Sequence, residues 1–92
     1  MNQDIREAGF NENADRIGLR RFRRAMEAKL DDKRAEGRGG WHLEAHSGGY
    51  GTSIPRLRRM LLSHVKKGDP VDIANFCMMI WNREHPTGRK PR

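Results

Sequence analysis

Between Val71 and Trp81 nine of eleven residues are apolar, in a chain of 92 residues whose hydrophobic fraction is only 35%. Such a segment has to be buried, yet a chain this short hides only roughly 60–65% of the surface its unfolded form exposes. The remaining elements are therefore constrained to supply cover for this one. Asp69 opens the segment as an N-cap, and Pro70 fits a first turn where a missing N–H does no harm. Asp72 places a negative charge where the helix dipole favours one, and His85-Pro86 stops the helix. The spacing predicts a helix over about 70–84, buried on most sides.

Two more helices follow from periodicity. In the Arg-, Ala-, Glu-, Lys- and Leu-rich segment from Asp15 to about Glu36, Leu19, Phe22, Met26 and Leu30 recur at helical spacing. Ser53 and Pro55 begin another helix, over about 53–67, in which Leu57, Met60, Leu61, His64 and Val65 form one stripe before Gly68 ends it. Between these two helices, Gly37 to Thr52 holds six of the ten glycines together with Trp41, His42, His46 and Tyr50. This is a long glycine-rich loop, of a length that is often functional. The expected fold is all-α: three main helices, with a flexible N-terminal arm (1–13), a single helical domain (14–85) and a basic C-terminal tail (86–92).

Two amphipathic helices and a loop are barely enough to cover the third helix, so self-association through the first and third helices is expected. The lone Cys77 excludes an internal disulfide, and its apolar neighbours predict a small buried side chain in a reducing compartment. No apolar stretch reaches the ~18–20 residues that cross a bilayer, and the N-terminus lacks the pattern of a signal peptide. No membrane partner and a cytoplasmic location are the expectation.

The formal net charge of +7 is concentrated in the middle of the chain, with +4 on residues 14–40 and +4 on residues 41–68. A field of this sign favours phosphate-bearing partners: nucleotides, nucleic acid or an acidic protein surface. In RAEGRGGW and HSGGYGTS, the glycines let backbone N–H groups approach a phosphate, which makes Arg38, Gly39 and Gly40 binding candidates. Ser53 opens a helix whose N-terminus attracts anions, and Trp41 or Tyr50 can stack on a base. Arg56, Arg59, Lys66 and Lys67 lie off the apolar stripe of their helix, and Arg20 and Arg24 belong to a basic face of the first helix. That face, RIGLRRFRR, can follow a nucleic-acid backbone, with GRKPR in the tail adding to it.

Asp69 and Asp72 stand three apart and can present oxygen ligands to a hard cation such as Mg²⁺, although two carboxylates alone make a weak site. An N-cap plus a first-turn charge explains both residues equally well. His42 and His46 lack a cysteine or acidic partner close by, which argues against zinc. His64 falls on the apolar stripe, where a histidine is more often a core residue than a base.

The segments FRRAMEAKL, GRGGW and DPVDIANFCMMI resemble the all-α nucleotide pyrophosphohydrolases of the MazG-like and phage dATP/dGTP pyrophosphohydrolase type, across about two thirds of the chain from Phe22 to Glu84. The resemblance implies Mg²⁺ held by two carboxylate pairs and cleavage of the α–β phosphate bond of a nucleoside triphosphate. Asp69 and Asp72 match the second pair in spacing. The helix expected to carry the first pair, RLRRMLLSHVKK, has no acid, and only His64 stands near that place. Residual catalysis would rest on Asp69, Asp72 and His64, with Mg²⁺ as cofactor. The reading that follows is instead a shortened, phage-type relative that holds a phosphate-bearing ligand, such as a nucleotide that serves as a host-defence signal, in the host cytosol without turning it over. A nucleic-acid or acidic-protein binder that inhibits a host complex is the alternative.

Overall fold

A computed structural model describes residues 5–7, 9–45 and 51–88. Three helices account for the fold: α1 (Asn11–Ala35), α2 (Ile54–Lys67) and α3 (Pro70–Glu84), with a short 3₁₀ turn at Ile5–Glu7 before them. The all-α class and the three main helices agree with the sequence pattern. The first helix begins four residues before Asp15, at Asn11, without a side-chain cap, and an i,i+4 ion pair from Glu12 to Arg16 spans its first turns.

The starts of α2 and α3 are made by capping chemistry. Ser53 Oγ accepts from the Arg56 N–H (3.2 Å), and Asp69 Oδ1 accepts from the Val71 N–H (2.9 Å). Gly68 closes α2 at φ +80°, a conformation that disfavours any residue with a Cβ, and its N–H reaches the His64 carbonyl. Only Gly68 and Asp69 separate the two helices, so α3 folds back along α2. An exposed ion pair between Arg58, near the start of α2, and Glu84, at the end of α3, is consistent with this antiparallel arrangement.

Leu57, Phe76, Met79 and Ile80 form the buried core, with Leu30, Trp41, Met60, Leu61 and Met78 packed against it. α3 therefore lies between α1 and α2 and contacts both. Lys29 and Lys33 of α1 meet Asp69 and Asp72 at the start of α3, while Asn75 Nδ2 donates to the Met26 carbonyl (3.3 Å). Later residues of α1 thus face earlier residues of α3, and these two helices also run in opposite senses.

Two sequence expectations need correction. Cys77 is exposed, not buried. At 100° per residue it points well away from the Phe76, Met79 and Ile80 face, and Trp81 follows it outward at 41% exposure. The rest of α3 is buried or half-buried except Pro70, Asn82 and Glu84, so its own chain covers the helix on most sides and leaves one exposed stripe, which weakens the premise that a single copy cannot hide it. Second, only the later half of the α1 stripe is used. Met26 and Leu30 face α3, whereas Leu19 is 71% exposed and Phe22 37% exposed. Among the described residues, only the Ile5–Glu7 turn packs on the first half of α1.

This division predicts unequal mutational costs. Leu57→Ala removes a side chain that is 2% exposed and should cost about 2–5 kcal/mol, a large share of what so small a domain has. Leu19→Ala should change stability by less than about 0.5 kcal/mol. Urea unfolding midpoints of the two variants measure the difference, and comparable losses would contradict the assigned packing.

Candidate functional site

Core packing leaves a cleft of about 460 Å³ between the end of α1, the connection that follows it, α2 and α3. Leu30, Trp41, Leu57, Met60, Phe76 and Met79 make its apolar lining. Lys33, Arg34, Arg38 and Arg56 supply cations, and no aspartate or glutamate lines it among the described residues. The connection contributes Gly39, Gly40, His42, Gly51 and Thr52 as well. A cleft built this way offers an apolar flat ligand a floor and offers its anionic group a rim.

The cations differ in what holds them. Arg34 pairs with Asp31, Arg38 lies 3.8 Å from Glu36, and Lys33 lies 4.0 Å from Asp72. Arg56 has no side-chain ion pair among the described residues, which leaves its guanidinium available to a ligand. Exposed pairs such as Arg34 with Asp31 are weak, so an incoming phosphate competes with them at little cost. His64 packs against Phe76 at 4.7 Å between ring centroids, and its Nδ1 lies 2.9 Å from the Met60 carbonyl. With a proton on Nδ1 in that bond, Nε2 is an acceptor.

The connection is held in place by Arg83. Its side chain is 7% exposed, and one terminal nitrogen donates to the Trp41 carbonyl (2.9 Å) and the Thr52 carbonyl (2.7 Å), with Glu44 at 3.4 Å from the other. The two ends of the loop are thereby fastened to the last turn of α3. Thr52 N–H also donates to the Leu43 carbonyl (3.1 Å). Gly51 passes so close to Glu44 that an added Cβ would sit 1.4 Å from its carbonyl oxygen, so only glycine fits there. Trp41, edge-on to His42 at 5.8 Å, is the aromatic that this clamp sets against the core.

Of the sequence-predicted phosphate residues, Arg38, Gly39, Gly40, Trp41 and Arg56 come together in the cleft. Ser53 caps α2 beside Thr52 without lining it. Arg20 lies on the exposed first half of α1, and Arg24 lines a separate shallow groove there with Ile5 and Phe22. Arg59, Lys66 and Lys67 are exposed on α2 and do not line the cleft. Tyr50 and His46 lie outside the described residues. Lys33, Arg34 and Arg83 were not singled out from the sequence. Their signal was present, because Lys33 falls three residues after Leu30 and Arg83 three after Ile80, which puts a cation on each buried stripe.

The Asp69 and Asp72 pair is occupied by lysines. Lys29 Nζ donates to Asp69 Oδ2 at 3.0 Å and lies 3.8 Å from Asp72 Oδ1, while Lys33 lies 4.0 Å from the same oxygen. Asp72 Oδ1 is buried without a hydrogen bond. A hard dication needs anionic oxygens around it, and a donor set of two carboxylates already facing two ammonium groups does not fit Mg²⁺. The hydrogen bond from Lys29, together with that from the Val71 N–H, lowers the Asp69 pKa, and the bond to Asp69 with the Asp72 charge raises that of Lys29. No protein-family model matches this sequence, and neither a curated protein nor a solved structure does.

Two predictions follow from these contacts. Arg83→Ala leaves two carbonyls without their donor and should cost about 2–4 kcal/mol. In a Trp81→Phe background it should also shift Trp41 emission to the red with helix content preserved, and Arg83→Lys should recover only part of either effect. An unshifted Trp41 would mean that the loop is held by something else. For the lysine bridge, a lowered Asp69 pKa gives stability that is present above its unfolded value, about 3.9, and is lost as pH falls through the lower folded value. A raised Lys29 pKa gives stability that is present below about 10.4 and is lost as pH rises through the higher folded value. The gap in melting temperature between the parent chain and Lys29→Met should therefore be flat from about pH 5 to 9 and close at either extreme.

Proposed function

We propose that the cleft binds a nucleotide, or another flat apolar group bearing phosphate, and holds it without hydrolysis. The observation that carries this reading is the pairing, among the described residues, of four cations and no carboxylate with an apolar floor that includes Trp41. The base stacks on Trp41 or lies against Met60 and Phe76, and the phosphates meet Arg38 and Arg56 at the rim. Turnover by a metal-assisted route is disfavoured because Lys29 and Lys33 stand where the cation would have to sit. On the resemblance to phage pyrophosphohydrolases, the nucleotide is one that a host defence produces as a signal, and affinity alone suffices to lower its free concentration. Assembly of copies through α1 and α3 belongs to the same proposal, supported by the exposed Leu19 and Trp81.

Native mass spectrometry of the purified protein reports a co-purified nucleotide and the subunit number together. Titration with ATP should then give saturable binding that Arg38→Gln and Arg56→Gln each weaken about tenfold or more, as expected for a lost charge-assisted hydrogen bond. Trp41→Ala should weaken ATP by a similar factor and leave inorganic phosphate unaffected. Equal affinity for ATP and inorganic phosphate, or indifference to all three substitutions, would remove the nucleotide from the cleft.

A further inference from the structure

The first half of α1 is unlike the rest of the molecule. From Arg16 to Met26 the helix carries Arg16, Arg20, Arg21, Arg23 and Arg24 and no acidic residue. Arg16, Arg20 and Arg24 follow one another at i,i+4 spacing, where like charges repel along a helix. Arg16 is relieved by Glu12 (2.6 Å) and Arg23 by Glu27 (2.7 Å), but all four of these side chains are at least 60% exposed, so the pairs are weak. Arg20 and Arg24 have no acidic partner among the described residues. Helix geometry puts Arg16, Arg20, Arg23 and Arg24 within about a third of the circumference, over roughly 12 Å of axis. All four side chains are exposed and precede Met26, whose carbonyl accepts from Asn75 of α3; Arg23, seven residues before Leu30, shares its direction on the helix.

We infer that this arginine stripe is a docking surface for the phosphodiester backbone of a nucleic-acid duplex, separate from the cleft. Charge complementarity selects the occupant. A duplex presents one negative charge per about 1.7 Å of axis, so roughly 12 Å of stripe meets several phosphates at once and the repulsion among the arginines is relieved. The exposed large apolar side chains here are Leu19 and Phe22, with Phe10 at the N-cap and Ile5 in the preceding turn; interleaved with five arginines, they fall short of the wide apolar face that insertion into a bilayer requires. The contact is with backbone phosphates, and binding is therefore indifferent to base sequence.

Fluorescence anisotropy with a random 20-base-pair DNA duplex and the RNA duplex of the same sequence tests this and shows which duplex the stripe prefers. The logarithm of affinity should fall with the logarithm of salt with a slope of about −3.6, for four phosphates neutralised. Arg20→Gln/Arg24→Gln, which touches no fold contact, should flatten the slope by about 1.8 and weaken binding more than about tenfold at 0.1 M salt. Arg59→Gln/Lys66→Gln removes the same charge from α2 and should weaken binding much less. The inference is overturned by an unchanged slope in the α1 variant, by equal loss in the α2 variant, or by binding to vesicles of anionic lipid in preference to either duplex. It is also overturned if poly-glutamate binds as tightly as the duplexes. Cleft variants such as Arg38→Gln should leave duplex binding intact, so the two sites fail separately.

Discussion

The connection between α1 and α2 depends on one buried guanidinium. A stretch of glycines has no side chains with which to anchor itself, and ordering it costs more backbone entropy than any other composition would. Arg83 meets that cost by donating to carbonyls at both ends of the loop from the rigid last turn of α3. Its planar fork suits the task, because its N–H donors lie at fixed angles and can be shared between two acceptors while the charge stays near Glu44. Trp41 and Thr52, both on the cleft wall, take their positions from this contact.

Electrostatics separate the two faces of α3. At its start, acids and lysines neutralise each other in a seam with α1. Around the corner, cations gather without acids and the cleft opens. Lys33 belongs to both places, lining the cleft while standing 4.0 Å from Asp72. Charge in the cleft is thereby linked to the helix seam, and a phosphate near Lys33 would draw on the same ammonium group that faces Asp72.

Helix number, caps and approximate ends were legible because they are written locally. Ser53, Gly68, Asp69 and Pro70 act through their own backbone neighbours, and each does in the structure what its type and position imply. Five residues of the cleft were also legible: Arg38, two glycines and a tryptophan in one loop are a compositional signal, and Arg56 falls off the apolar stripe of α2. Lys33 and Arg83 act over long sequence separations, 42 residues in the case of Arg83 and Trp41, and no local pattern encodes the partner. Likewise, an apolar stripe on α1 tells which face is suited to burial but not how far α3 extends along it. Cys77 was misread because a run of apolar residues hides its own periodicity.

Asp69 serves two structures with its two oxygens: Oδ1 holds the first turn of α3 through Val71, and Oδ2 holds α1 through Lys29. Initiating one helix and docking another are thus not independent events. Either partner of this carboxylate pre-orients it for the other, so local and long-range order arrive together. For a small chain with little core to spare, such coupling thins the population of half-assembled forms, and the folding transition is correspondingly closer to all-or-none.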